Sequence, residues 1–328
     1  MNWKHLIQSI ANGRGYEIRK LPQKRVQPNE SLANTLNIDR DILARIRGHV
    51  SANPYEAVPL NELASADKWY LPEWASIQRE IREPLYYPPD FIHRKTWEWV
   101  QCAFGLRKLE VLNEKSRGLG VGAGHEPLVY LFANEAKEVV ATDLYHMDSI
   151  WAKEGAHEGD REMLTNPNKY APFPYRRDRL TVLDMDGCNL RFPDNSFDFV
   201  WSSCAIEHFG GHEKAARSMR EMERVLRSGG ILALTTEFIL DQNILKGFNN
   251  SHDEYFNLKA LYEYIISPTS LKLVQNLRLK VDPYYILNSV KFPEERTAPL
   301  GGIAKPHIVL NIDDLLITSI SIFFRKEG

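Results

Sequence analysis

The sequence is short of cysteine. Cys102, Cys188 and Cys204 are the only three in 328 residues, and no C-x-x-C pair occurs. That spacing excludes a disulfide framework and a structural zinc site. It fits a reducing compartment, so a cytoplasmic protein is expected. Long apolar runs are also missing. No stretch reaches the about 18 apolar residues of a membrane span. Residues 1–10 lack the continuous apolar centre of a signal peptide, so no secretion is expected. Nor is there an excess of charge of one sign. The formal net charge is −2, so no global field draws in nucleic acid or a membrane surface. Internal repeats and low-complexity segments are absent. With 43% hydrophobic residues, an ordinary globular chain remains.

What charge there is lies unevenly. Lys4, Arg14, Arg19, Lys20, Lys24 and Arg25 stand against Glu17 alone in residues 1–28. Such a segment usually faces water, but it also offers weak peripheral contact with anionic lipid, glycan phosphate or nucleic acid. Residues 1–90 read as an irregular, partly helical N-terminal extension punctuated by prolines, with Ile38, Ile42 and Ile46 marking one short helix. Pro88–Pro89 sets the boundary to a second domain, 91–328. That domain opens with an amphipathic helix or helix pair over 91–112. In its stretch H-R-K-T-W-E-W (93–99), the charges read as solvated. Trp97 and Trp99 are two apart, so at most one of them is expected in the core.

From 116 to 240 the pattern alternates. Strands are expected at 117–122, 138–144, 179–186, 197–204 and 231–238. Helices fall at 126–136 and 212–227, the latter ended by Gly229–Gly230, with a polar helix or loop at 146–165. Short loops between such elements imply a parallel sheet covered on both faces. Beyond it, in the C-terminal region 241–328, a helix is expected at 255–266 and strands at 271–277 and 317–326.

The first turn carries the chemistry. G-L-G-V-G-A-G (118–124) places Gly120, Gly122 and Gly124 between a strand and a helix. Glycines there permit a sharp turn and a close approach of bare backbone to a ligand, and the helix start aims free N–H groups at it. A phosphate-binding P-loop would end in Gly-Lys-Ser/Thr, whereas His125 and Glu126 follow Gly124. A dinucleotide fold asks for G-x-G-x-x-G, and one residue fewer separates the last two glycines here.

With three further elements in order, the sequence resembles the class I S-adenosylmethionine-dependent methyltransferases of the type 11 kind, including bacterial members linked with surface-polysaccharide biosynthesis. Those elements are Asp143 in V-A-T-D-L, the loop M-D-G-C-N-L-R-F-P-D-N-S-F-D-F-V (185–200), and E-M-E-R-V-L-R-S-G-G-I-L (221–232). The resemblance covers about 116–240. It implies an α/β Rossmann-like fold with a seven-stranded, mostly parallel sheet, S-adenosylmethionine as cofactor and S-adenosylhomocysteine as product. It implies further that Gly120, Gly122, Gly124 and His125 hold the cofactor at the turn. Asp143 and Leu144 would lie at the ribose, Met185, Asp186 and Gly187 at the adenine, and Ser203 after them. One departure stands out. The family usually has an acid two residues before the first motif glycine, where this chain has Gly118; His125, Glu126 or the 91–99 helix would have to replace it.

Methyl transfer to a hydroxyl is helped by a general base. I-E-H-F (206–209) follows the fourth strand at the sheet edge where α/β sites lie. His208 is the candidate base, with Glu207 orienting it or touching the cofactor; a role confined to cofactor packing is equally open. Glu237, with His252, Asp253 and Glu254, can bind acceptor hydroxyls. Their spacing matches no metal motif, and helix capping accounts for Asp253 and Glu254. The expected acceptor is a sugar or glycan hydroxyl. A small natural product, a quinone or lipid, or a non-catalytic cofactor-binding subunit are the alternatives. A nucleic-acid substrate is not expected, since S-S-C-A (202–205) stands where an N-P-P-Y-like motif would be.

Overall fold

The strand and helix alternation folds as one twisted sheet with helices packed on it. The structure is a computed structural model describing residues 36, 38–81, 92–145, 160–242, 249–250, 253–291, 306–312 and 314–328, with backbone only at 249–250 and 253–254. The basic segment 1–28, most of the polar stretch 146–165, and His252 lie outside the described residues, as do the Asp253 and Glu254 side chains.

Seven strands make the body of the sheet: β1 Arg117–Val121, β2 Glu138–Asp143, β3 Leu180–Asp184, β4 Phe197–Ser203, β5 Leu226–Ile239, β6 Leu310–Ile312 and β7 Leu315–Arg325. Their order across the sheet is β3-β2-β1-β4-β5-β7-β6. β1 to β5 run parallel, and β7 inserts antiparallel between β5 and β6. This is the Rossmann-like architecture expected from the sequence. With three two-residue pieces the sheet reaches ten strands. Two of those pieces cover the far edge of β7 in turn: Glu62–Leu63 pairs with it at Ser321 and Ile320, and Lys272–Leu273 at Arg325 and Phe324.

Among the helices are α1 Arg40–Arg47, α2 Pro72–Ile81, α3 Arg94–Lys108, α4 Pro127–Glu135 and α5 His212–Val225. Helices α2, α3 and α4 pack on one another, while α1 and α5 pack with the helical segment 258–266. Leu36–Gly328 form one compact unit, so the described part of the N-terminal region shares its core with the sheet.

Several expectations change. α5 ends at Val225, and Gly229 does not stop it. Gly229 has φ +79° inside β5, and its N–H donates to the Lys326 carbonyl at 2.7 Å. The strand expected over 271–277 shrinks to Lys272–Leu273. Both Trp97 and Trp99 are buried, and so is His93, with Arg94 largely covered. The one-face argument fails because α3 lies under α2 and α4 on one side and over β4, β5 and β7 on the other. A helix enclosed all round has no solvent face for either indole.

Candidate functional site

Strand order reverses between β1 and its two neighbours β2 and β4, which opens a crevice at the carboxyl ends of the parallel strands. Nearly every residue singled out from the sequence gathers on this edge. The glycine turn follows β1. Asp143 ends β2, Met185 to Gly187 follow β3, Ser203 ends β4, and a short 3-10 turn, Ile206–His208, comes next. Glu237 lies near the end of β5.

The turn is held from β2. Thr142 Oγ1 donates to the Gly120 carbonyl at 2.7 Å, and the Tyr145 hydroxyl donates to the Gly124 carbonyl at 2.5 Å. Asp143 accepts from the Gly124 N–H at 2.8 Å and from the Leu144 N–H at 2.7 Å. The carboxylate is thereby fixed at the sheet edge. Gly122 (φ +66°) and Gly124 (φ +46°) are left-handed, which L residues rarely adopt. A Cβ on Gly122 would lie 2.5 Å from that of Ala205, so the turn and the loop after β4 touch backbone to side chain.

Leu144 stays 37% exposed, an apolar side chain beside a carboxylate. Asp186 is exposed, and its Oδ1 accepts from the Cys188 N–H at 2.8 Å. Met185 is buried, and Gly187 fits closely against Val121 and the Phe209 ring. Ser203 is buried, and its Oγ accepts from Thr235 Oγ1 at 3.3 Å. His125 is half-buried and stacks on Tyr170, with centroids 4.8 Å apart and planes 14° apart. Its Nε2 has no hydrogen-bond partner among the described residues. A cradle that admits only glycine, an imidazole nitrogen without a partner among the described residues and a partly exposed Leu144 together suit a nucleoside-bearing cofactor.

The departure at Gly118 has a packing cause. Gly118 and Gly120 pair across the sheet with Phe199 and Trp201, and a Cβ at 118 would lie 2.2 Å from the Phe199 ring. Phe132 of α4 meets both rings edge-on. The acid slot is therefore filled by an aromatic. A buried carboxylate appears instead at Glu126, where the indole N–H groups of Trp201 and Trp99 donate to it at 2.6 and 3.0 Å. Gly118→Glu is accordingly expected to destabilise the fold by about 3 kcal/mol, through overpacking and a buried charge. Thermal denaturation checks this; an unchanged melting temperature would show the slot to be open.

The second cluster joins β4, β5 and α3. Glu207 is buried, and its Oε2 accepts from Thr236 Oγ1 at 2.9 Å, while Oε1 has no hydrogen-bond partner among the described residues. Burial raises its carboxyl above the ordinary value; His208 opposes this and Glu237 adds to it. His208 is half-buried beside it. Glu237 is committed to an ion pair with Arg94, which also meets Glu98 at 2.9 Å. Lys95 reaches Glu98 at 3.3 Å, and Ser319 Oγ donates to the same carboxylate. Cys204, which closes β4, takes φ +44°, an uncommon conformation for a residue with a side chain. The charges of 93–99 were read from the sequence as solvated. The spacing Arg94–Glu98 and Lys95–Glu98, four and three residues apart, was the available signal of their pairing. Among the described residues no group of three or more His, Cys, Asp or Glu side chains is placed to hold a metal ion.

Strand order, glycine turn and carboxylate at the end of β2 define a Rossmann-like cofactor-binding sheet. Residues 118–234 match the family model described as a methyltransferase domain. Residues 118–234 thus form a methyltransferase domain, with S-adenosylmethionine as its methyl donor. Among solved structures it is similar to a protein of Galdieria sulphuraria provisionally described as a sarcosine dimethylglycine methyltransferase. That match has 19% identity, covers 71% of this chain and 85% of the other, and has a TM-score of 0.45. It is also similar to a chain in the complex between the Trm112 methyltransferase activator of Haloferax volcanii and a methyltransferase (14% identity, 78% and 95% covered, TM-score 0.44). A third similarity is to an S-adenosylmethionine-dependent methyltransferase of Methanosarcina mazei (15%, 66% and 95%, 0.41). Among the described residues no helix is long and apolar enough to cross a membrane.

Proposed function

We propose that the protein methylates a hydroxyl of a sugar or glycan intermediate, with His208 as the base. The observation that carries this is the turn 205–209. It touches the glycine turn through Ala205 and Phe209, and it presents His208 beside a buried Glu207 with one oxygen unpartnered. In this reading Asp143 accepts from the ribose hydroxyls. Leu144, Met185, Asp186 and Gly187 receive the adenine. The bare backbone of the glycine turn, with His125, meets the methionine part, and Ser203 supports the floor. The cofactor supplies a methyl group on a sulfonium, already a strong electrophile. The chain's task is then to align an oxygen and accept its proton. An imidazole with an ordinary value near 6.5 suits that proton transfer at neutral pH. Glu237 contributes by holding Arg94, and it is not itself free to act as the base.

The test is a methyl-transfer screen against sugar nucleotides and glycans with the wild type and His208→Ala. The variant is expected to bind S-adenosylmethionine normally by calorimetry, while turnover falls between about 100- and 10,000-fold. Loss of cofactor binding in step with turnover would move His208 into the cofactor pocket and remove the base from this reading.

A further inference from the structure

The polar cluster between α3 and the ends of β4 and β5 is unusual for its depth. Glu98 and Glu207 are buried outright, and Arg94 and Glu237 nearly so. Among the described residues it holds two permanent cations, Arg94 and Lys95, against three carboxyl groups, Glu98, Glu207 and Glu237, with His208 at its edge. Burying an unbalanced charge is costly, so such a cluster is most stable when neutral. With His208 neutral, as a base must be before it accepts a proton, neutrality requires one of the three carboxyls to keep a proton. Glu98 touches both cations, and Glu237 touches Arg94. Among the described residues Glu207 is paired with neither cation. Its side-chain partner there is the Thr236 hydroxyl on Oε2, which leaves Oε1 buried without one.

We propose that Glu207 is a neutral carboxylic acid that presents its O–H as a donor toward the acceptor, and that Arg94 is the positioning residue that keeps Glu237 ionised and so leaves the proton to Glu207. The proposal rests on the methyl-transfer site above and deepens it. An acid with an unpaired O–H suits an uncharged, oxygen-bearing acceptor, because a hydroxyl or carbonyl oxygen can accept from it. A cationic amine would find no open carboxylate, since both ionised groups are occupied by Arg94 and Lys95. The arrangement also keeps a carboxylate from competing with the acceptor for the methyl group. The groups whose charge reaches Glu207 are His208 in its own turn, Glu237 on β5 and Lys95 on α3, with Arg94, Cys204 and Glu98 behind them. From α5, His212 turns away to the Tyr255 carbonyl and the Tyr264 ring. The strand at 253–254 also runs alongside, and its side chains are not among those described.

Infrared difference spectroscopy on the full chain tests this through the C=O stretch of a protonated carboxyl. The band is expected at pH 7 in the wild type, absent in Glu207→Gln and unmoved in His208→Ala. Arg94→Gln leaves Glu237 without its cation, so a second carboxyl takes up a proton and the band grows about twofold. Arg94→Lys restores the wild-type band, which a merely structural role for Arg94 would not require. A wild-type spectrum with no band that Glu207→Gln removes overturns the proposal, and that comparison stands even if Arg94→Gln does not fold. The spectrum does not depend on which acceptor is methylated. A failed glycan screen with the band present therefore counts against the sugar reading, and an absent band counts against the neutral acid.

Discussion

Gly122→Val is expected to weaken S-adenosylmethionine binding at least about 100-fold, equivalent to some 2.7 kcal/mol. Two costs combine. Gly122 sits at φ +66°, where a β-branched residue is strained by roughly 1–3 kcal/mol. Its added Cβ would also lie 2.5 Å from the Ala205 Cβ and about 3.2 Å from the Phe209 ring. The backbone must then shift, and the Gly124 N–H that Asp143 holds at 2.8 Å shifts with it. Gly229→Ala is the control. Gly229 has a similar φ of +79°, but nothing lies within 4 Å of the position of its Cβ. It should lose about 1 kcal/mol of stability and bind the cofactor as wild type does. Calorimetry on both variants checks the pair. A valine variant within threefold of wild type would mean that the turn is not the cofactor's cradle.

The same glycines show how far the sequence could be read. Gly122 and Gly124 were legible because a strand-to-helix turn asks for left-handed residues, and both are left-handed. Asp143, Met185 and Gly187 came from the family resemblance, and they lie at one edge of the sheet, after β2 and β3. Gly118 was not. Its cause is Phe199, some eighty residues away on the neighbouring strand, and no local pattern carries a cross-strand partner. β7 shows the same limit. Its alternation suggests one wet face, yet Ser319 and Ser321 are fully buried. Their hydroxyls are satisfied by Glu98, Gln101 and the Leu60 carbonyl, which belong to α3 and the segment before α2. Arg94, Glu98 and Lys95 were misread for a related reason. A charged helix turn reads as solvated until the enclosing layers are known. Of the buried acids that receive those charges, Glu98 is on the same helix and Glu237 comes from β5, more than a hundred residues on.

That misread cluster supports the other large effect. Glu98→Gln is expected to cost roughly 3–5 kcal/mol of folding stability, because it keeps the shape and removes the one carboxylate that meets both Arg94 and Lys95. The pH dependence separates this from a packing defect. Burial works against the Glu98 charge, but Lys95, Arg94, Ser319 and Cys204 more than offset it and hold the carboxyl below its ordinary value of 4.5. A group depressed on folding contributes stability that is fully present above its unfolded value and is lost as pH falls toward the folded one. The gap between wild type and Glu98→Gln in urea unfolding should therefore be full at pH 7. It should begin to close as pH falls below about 4.5, since only the wild type has a charge to lose. A gap that stays constant into acid, or widens there, would mean that Glu98 contributes by shape alone. In that case Arg94 would not be anchored by charge from its own helix, and the neutral Glu207 beside it would need another cause.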